Sequence, residues 1–259
     1  MFIAKFKYFT FDQKMKKDFF EIINKNSKSY NLFKKQKFRS LKHSNYFHIY
    51  DKLFSDYVDK KITIVEIGVG NGGSLFMWRE LFGSNARIIG IDFNPSAKRW
   101  KEYGFEIFIG NQSDTLFWKN FFEQVENIDI LIDDGGHTNE QQIVTLMSTI
   151  EFVNDNGIII FEDVHSNYSK EFGNPSKYSF INFCYRLVDL QNKSILDDKI
   201  NKNIIDKFFK IEFYHCLVVL HINRKKSGTS RVLDNGGTIL NSEDYRLRDS
   251  KFFTTIDKK

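Results

Sequence analysis

Cysteine is nearly absent here: Cys184 and Cys216 are the two thiols in 259 residues. That excludes a disulfide framework and leads us to expect no Cys-based zinc site. Both cysteines sit among apolar and aromatic neighbours and read as buried and inert. Proline is as rare, with Pro95 and Pro175 alone, so a proline-rich linker and a Pro-Pro motif are excluded. No uninterrupted apolar run approaches the ~18 residues of a membrane-spanning helix. The first twenty residues interrupt their apolar positions with lysine too often for a secretory signal. A reducing, cytoplasmic setting is the expectation.

The positive charge is unevenly spread. Residues 1–61 carry fifteen Lys or Arg against six Asp or Glu, whereas the rest carries 23 against 27. The basic start reads as a solvated helical segment able to attract phosphate-bearing partners. No internal repeat is found. From residue 61 the text changes character. Short apolar runs at 62–67, 87–92, 105–110, 128–133 and 157–162 alternate with helix-like stretches at 74–83, 115–125, 139–153 and 176–190. Runs that are apolar throughout are buried on both faces, which is the mark of a parallel sheet covered by helices. The predicted fold is α/β, a doubly wound, mostly parallel, Rossmann-like sheet. A β-hairpin over 210–225 ends it. The expected organisation is a basic helical segment at 1–60, an α/β domain at 61–225 and a polar tail at 226–259.

In such sheets ligands bind beyond the carboxyl ends of the strands. The first strand is followed by Glu66-Ile-Gly68-Val-Gly70-Asn-Gly72-Gly73-Ser74. The glycines fit a dinucleotide fingerprint and also the acidic glycine loop of S-adenosylmethionine (SAM) methyltransferases. Glu66 favours the second, because a carboxylate repels a pyrophosphate and attracts the SAM ammonium. Asp92, after the second strand, is placed to accept hydrogen bonds from a ribose diol under either reading. Gly110–Asp114, after the third, offers polar side chains to an adenine edge or simply caps the next helix. The next two strands end in Asp133-Asp134-Gly-Gly-His137 and Glu162-Asp163-Val-His165. Carboxylates on strands about 4.8 Å apart repel one another unless a cation lies among them. An all-oxygen set suits Mg²⁺ or Mn²⁺. His137 is suited to take a proton from a hydroxyl acidified by that cation. His165 and Tyr168 are candidates for an acceptor pocket.

VEIGVGNGGSL, GIDFNP, LIDDGGHTNEQQ and GIIIFEDVHSNY, in this order, resemble the metal-dependent sugar O-methyltransferases of the macrocin and mycinamicin type. The resemblance covers about residues 43–223. It implies SAM and a divalent metal as cofactors, with Asp134, Glu162 and Asp163 as metal ligands and His137 as general base. It implies that Glu66, Gly68, Gly70, Ser74 and Asp133 lie at the SAM site, with Asp92 at the ribose, Gln112 near adenine and Tyr46 in the segment closing over the cofactor. The family's usual DDGSH is DDGGH here, and its large N-terminal domain is missing or reduced to about sixty basic residues. A nucleotide-linked or surface-polysaccharide sugar therefore suits better than a macrolide. Nucleic acid is disfavoured as a partner, and a homo-oligomer is left open. The alternatives weighed are an NAD-dependent nucleotide-sugar oxidoreductase or epimerase, an N-methyltransferase of a small amine, and a SAM-binding subunit without turnover.

Overall fold

The computed structural model describes residues 25–172, 178–195, 197, 199, 202–228 and 230–238. The first 24 residues of the basic segment and most of the polar tail lie outside that set. The chain divides into two units, Met1–Thr229 and Ser230–Lys259. Within the second, residues 230–238 hold no helix or strand.

The first unit is built on one seven-stranded sheet. Its strands are β1 (Thr63–Ile67), β2 (Arg87–Asp92), β3 (Glu106–Ile109), β4 (Ile128–Asp133), β5 (Val153–Phe161), β6 (Phe208–Tyr214) and β7 (Leu217–Ile222). They lie in the order β3-β2-β1-β4-β5-β7-β6. The first five are mutually parallel, and the β6–β7 hairpin pairs antiparallel against β5. The order reverses between β1 and β4, which opens a crevice at their carboxyl ends.

Among the described residues, six α-helices cover the sheet: α1 (Lys28–Lys35), α2 (Tyr46–Phe54), α3 (Gly73–Phe82), α4 (Thr115–Val125), α5 (Asn139–Thr149) and α6 (Phe180–Lys193). Side chains alternate across a strand, so each strand feeds two cores. Ile64, Ile130, Ile132, Ile158 and Ile160 pack with Tyr46, Tyr50, Phe54, Trp78 and Phe82 of α2 and α3. Val65, Leu131, Ile159 and Phe161 pack with Trp118, Phe121, Leu146, Phe180 and Leu187 of α4, α5 and α6.

Several boundaries differ from the periodicity. The helix read over 139–153 stops at Thr149, because Phe152 turns back on the Thr149 carbonyl and Val153 already pairs with Ile128. Within the segment expected at 1–60, α2 is followed by a single 3₁₀ turn, Ser55–Tyr57. The helix read from 176 begins at Phe180, where the Ser179 side chain caps it. The basic segment contributes α1, whose first amides at Lys28 and Ser29 are held by the Asp51 carboxylate of α2. At the other end, the Ser227 hydroxyl lies 2.7 Å from the Ile205 carbonyl and 3.0 Å from that of Phe208, so residues 226–228 are tied into the first unit.

Candidate active site

The same alternation that builds the two cores sorts the acidic residues. Glu66 follows Ile64 by two and Glu162 follows Ile160 by two, so both carboxylates point to the α2–α3 face. Asp133 follows Leu131 and points to the other face. There it is fully buried, accepts both oxygens' hydrogen bonds from the Gln112 amide at 3.0 Å, and also accepts from the Gly135 N–H. Burial pushes the Asp133 carboxyl up to about 6. Gln112 spends its other amide contacts on Thr145 and the Gly136 N–H. The structure thus puts Gln112 and Asp133 beneath the β4 turn, with their polar atoms engaged inside the protein.

The turn after β1 makes the close approach that its glycines allow. Gly68 has φ +90°, and a side chain there would come within 2.0 Å of the Asp134 carbonyl. The Gly70 N–H donates to Asp92 Oδ2 at 3.0 Å, and Asp92 Oδ1 accepts from Asn94 N. Asp92 therefore braces the glycine turn at the end of β2. Ser74 donates from the first turn of α3 to Glu66 Oε2 at 2.7 Å. The turn after β4 is equally tight, since a side chain at Gly135 would meet Gln112 Oε1 at 2.1 Å.

The cation that the carboxylates require is supplied in part by the chain itself. Lys42, from the segment between α1 and α2, reaches in with its side chain fully buried. Its Nζ stands 2.7 Å from Asp134 Oδ2, 2.9 Å from Glu162 Oε2 and 3.4 Å from Glu66 Oε1. Burial alone lowers a lysine pKa, but Asp134, Glu162 and Glu66 carry this ammonium well above its usual value. Glu162 accepts a second hydrogen bond from the Tyr50 hydroxyl. Burial pushes the Glu162 carboxyl up to about 8 against the pull of Lys42, and burial likewise raises Glu66. Spacing gives no hint of Lys42 or Tyr50. The signal available in the sequence was the charge imbalance among the strand-end acids.

The outer residues remain open to the crevice. Asp134, His137 and Asp163 offer ligand atoms that all lie within 4.8 Å of one another. His137 Nε2 is 3.7 Å from Asp163 Oδ2 and 3.9 Å from Asp134 Oδ1, while its Nδ1 is buried without a hydrogen-bond partner. His137 and Asp163 both hold left-handed backbone, at φ +57° and +53°. Such conformations in residues other than glycine persist where surrounding structure enforces them, and they cluster at functional sites. Tyr46, fully buried, accepts from the Asp163 N–H and lies 2.8 Å from Asp163 Oδ1, so it positions this carboxylate. A cavity of about 320 Å³ joins Arg39, Gly68 and Gly70 to Asp134, His137 and Asp163. Two carboxylates suit a hard divalent cation, and the imidazole stands beside them. Glu162, by contrast, faces inward onto Lys42 and Tyr50.

Residues 65–164 match a family model described as a methyltransferase domain. Among curated proteins, the 8-demethyl-8-alpha-L-rhamnosyl tetracenomycin-C 2'-O-methyltransferase of Streptomyces olivaceus is 29% identical over 150 residues, covering 54% of this chain and 39% of that one. The mycinamicin VI 2''-O-methyltransferase of Micromonospora griseorubida is 30% identical over 131 residues, covering 48% and 32%. The demethylmacrocin O-methyltransferase of Streptomyces fradiae is 29% identical over 134 residues, covering 49% and 33%. The matched part thus spans 32–39% of these relatives' length. Among solved structures, MycE methyltransferase of the mycinamycin pathway, crystallised with Mg and SAH, superposes with a TM-score of 0.65 at 23% identity, covering 83% of this chain and 56% of that one. Over residues 65–164 the chain is thus similar to a methyltransferase domain, it is similar over about half its length to sugar O-methyltransferases of the macrocin and mycinamicin type, and it shares the fold of MycE.

Proposed function

We propose that the chain is a SAM- and divalent-metal-dependent O-methyltransferase acting on a sugar hydroxyl, with a nucleotide-linked or surface-polysaccharide sugar as acceptor. The observation that carries this reading is the convergence of Asp134, His137 and Asp163 on one cavity that also receives the glycine turn of β1. The relatives are named for O-methylation, one of them on a rhamnosyl-bearing antibiotic. The basic lead-in, which brings Arg39 to the cavity edge, suits an acceptor carrying phosphate.

A bound divalent cation would lower the pKa of the acceptor hydroxyl, and bound SAM would supply the methyl group. Asp134 and Asp163 are the residues to hold the cation, with His137 beside them. The backbone at Gly68 and Gly70 leaves room for the cofactor to lie against the turn. His137 Nε2 faces the space between the two carboxylates and is the group to take the hydroxyl proton. Lys42 holds Glu66, Asp134 and Glu162 in place by neutralising them from the inner side. Holding both reactants in one crevice supplies the near-attack geometry for methyl transfer.

The test is ligand-dependent thermal stability followed by transfer assays. SAM or S-adenosylhomocysteine should stabilise the protein and NAD(H) should not. Labelled methyl should then pass from SAM to members of a nucleotide-sugar panel in an EDTA-sensitive reaction. Stabilisation by NAD alone would overturn the reading in favour of an oxidoreductase.

A further inference from the structure

On the far side of Asp163 from His137 lies a second group of donor side chains that the proposed reaction does not use. His43 precedes α2, His165 lies in the 3₁₀ turn that follows β5, and Cys216 forms the turn between β6 and β7. Each offers a ligand atom, and the three atoms lie within 4.8 Å of one another. The two imidazoles meet edge to face with centroids 5.1 Å apart. His43 Nε2 is 3.2 Å from Asp163 Oδ1, the oxygen turned away from His137. Three segments distant in sequence are thus brought around one point, and the Asp163 carboxylate stands beside His43.

The backbone holds this arrangement. Cys216 adopts φ +66°, a left-handed conformation that a non-glycine residue keeps only under constraint. Its carbonyl accepts from the Val164 N–H at 3.1 Å and from the Tyr46 hydroxyl at 2.9 Å. Tyr46 also receives the Asp163 N–H, so one phenol fixes both the thiol's turn and the shared carboxylate. The other cysteine, Cys184, is fully enclosed in the α6 core. His43 and His165 are exposed, so their rings are free to rotate onto an ion, while Cys216 is buried.

We propose that His43, His165 and Cys216, with the Asp163 carboxylate, form a zinc site. A thiolate with two imidazoles is a softer donor set than the carboxylates facing His137, and four such ligands match the tetrahedral preference of Zn²⁺. Binding transfers the Cys216 thiol proton to solvent and leaves the thiolate on the metal. Cys216 is then a ligand and not the inert residue that its apolar sequence neighbourhood suggests. Because Asp163 borders both sets, zinc here draws on a carboxylate that the harder cation also needs. Zinc should therefore weaken binding of the harder cation at Asp134 and Asp163.

The site is tested without SAM or acceptor, so its outcome is separate from that of the proposed activity. Co²⁺ serves as the spectroscopic probe in protein freed of divalent metal by chelation. One equivalent of Co²⁺ should give a thiolate charge-transfer band and visible bands of a tetrahedral ion, both displaced by Zn²⁺. Cys216→Ser should abolish the charge-transfer band, and His43→Ala/His165→Ala should weaken binding by at least about tenfold. His137→Asn should leave the spectrum unchanged. In the wild type, zinc absorption spectroscopy should find one sulfur at roughly 2.3 Å, a readout that needs no variant to fold. Oxygen and nitrogen ligands alone, or a cobalt spectrum indifferent to Cys216→Ser, would overturn the site.

Discussion

At the scale of single residues, Lys42 and His137 stand for two different dependencies. Lys42 is the counter-cation of three buried or half-buried carboxylates. Removing one partner of a buried ion cluster leaves uncompensated charge, which costs about 3–5 kcal/mol. Lys42→Met should lower unfolding free energy by that order in urea titration. Lys42→Met/Glu162→Gln should recover part of it, because the second change removes the charge left stranded beside Tyr50. If the double variant is no more stable than the single, the ion cluster is not what Lys42 contributes. His137 is argued on chemistry instead of stability. His137→Asn, which tolerates the left-handed backbone better than alanine, should lower kcat by ~10²–10⁴-fold with SAM affinity nearly intact. Steady-state kinetics beside calorimetric SAM binding separates the two effects, and an unchanged kcat removes His137 from the base role.

At the scale of elements, the turns that end the strands carry the site, and their tolerance is small. Gly68→Ala must place a methyl 2.0 Å from the Asp134 carbonyl at φ +90°. Strain of this kind alone costs about 1–2 kcal/mol, and here the β1 and β4 turns must also separate. Thermal unfolding should show the loss, and SAM binding should fall with it, because the same two turns border the cavity. The hairpin offers a pH prediction. Burial works against the charge of Glu212, yet Lys210, Tyr214 and His221 hold its carboxyl down to about 2. A carboxylate depressed below its ordinary 4.5 contributes stability that is complete above that pH and is lost as the pH falls toward 2. Glu212→Gln should therefore destabilise the protein at neutral pH and make little difference near pH 2. Because its cationic partner Lys210 is exposed to solvent, the effect should not exceed about 1 kcal/mol.

At the scale of the whole molecule, the reading is tested by linkage. S-adenosylhomocysteine at 100 times its Kd should add about 2.7 kcal/mol to the unfolding free energy. If the cation and cofactor share the crevice between β1 and β4, Mg²⁺ should deepen that shift and EDTA should remove the increment. A shift identical with Mg²⁺ and with EDTA would separate the two ligands. No helix among the described residues is long and apolar enough to cross a membrane. The α2–α3 face of the sheet is where the basic lead-in, the glycine turn of β1 and the inner carboxylates meet, so binding at the crevice should tighten the segment that carries Lys42. Hydrogen exchange of the described amides between α1 and α2 should slow on ligand binding if so.

The sequence by itself determined the parallel β1–β5 core, because runs apolar throughout have no stable place except between two layers of helices. It also determined which turns carry polar side chains, because strand ends follow from the same runs. The period of two even assigns Glu66 and Glu162 to one face and Asp133 to the other. Tertiary structure alone decided how those groups are used. Lys42 and Tyr50 come from segments with no spacing relation to the strand ends, yet they neutralise and hold the inner carboxylates. Gln112 lies in a strand-end loop facing the crevice, but the Asp133 carboxylate and the Gly136 amide claim its side chain. Cys216 reads as a buried apolar position until the β6–β7 turn brings it beside His43 and His165. The difference is physical. Periodicity reports which surfaces are withdrawn from water, whereas partners for a buried charge or a thiol are fixed only when segments far apart in the chain pack together.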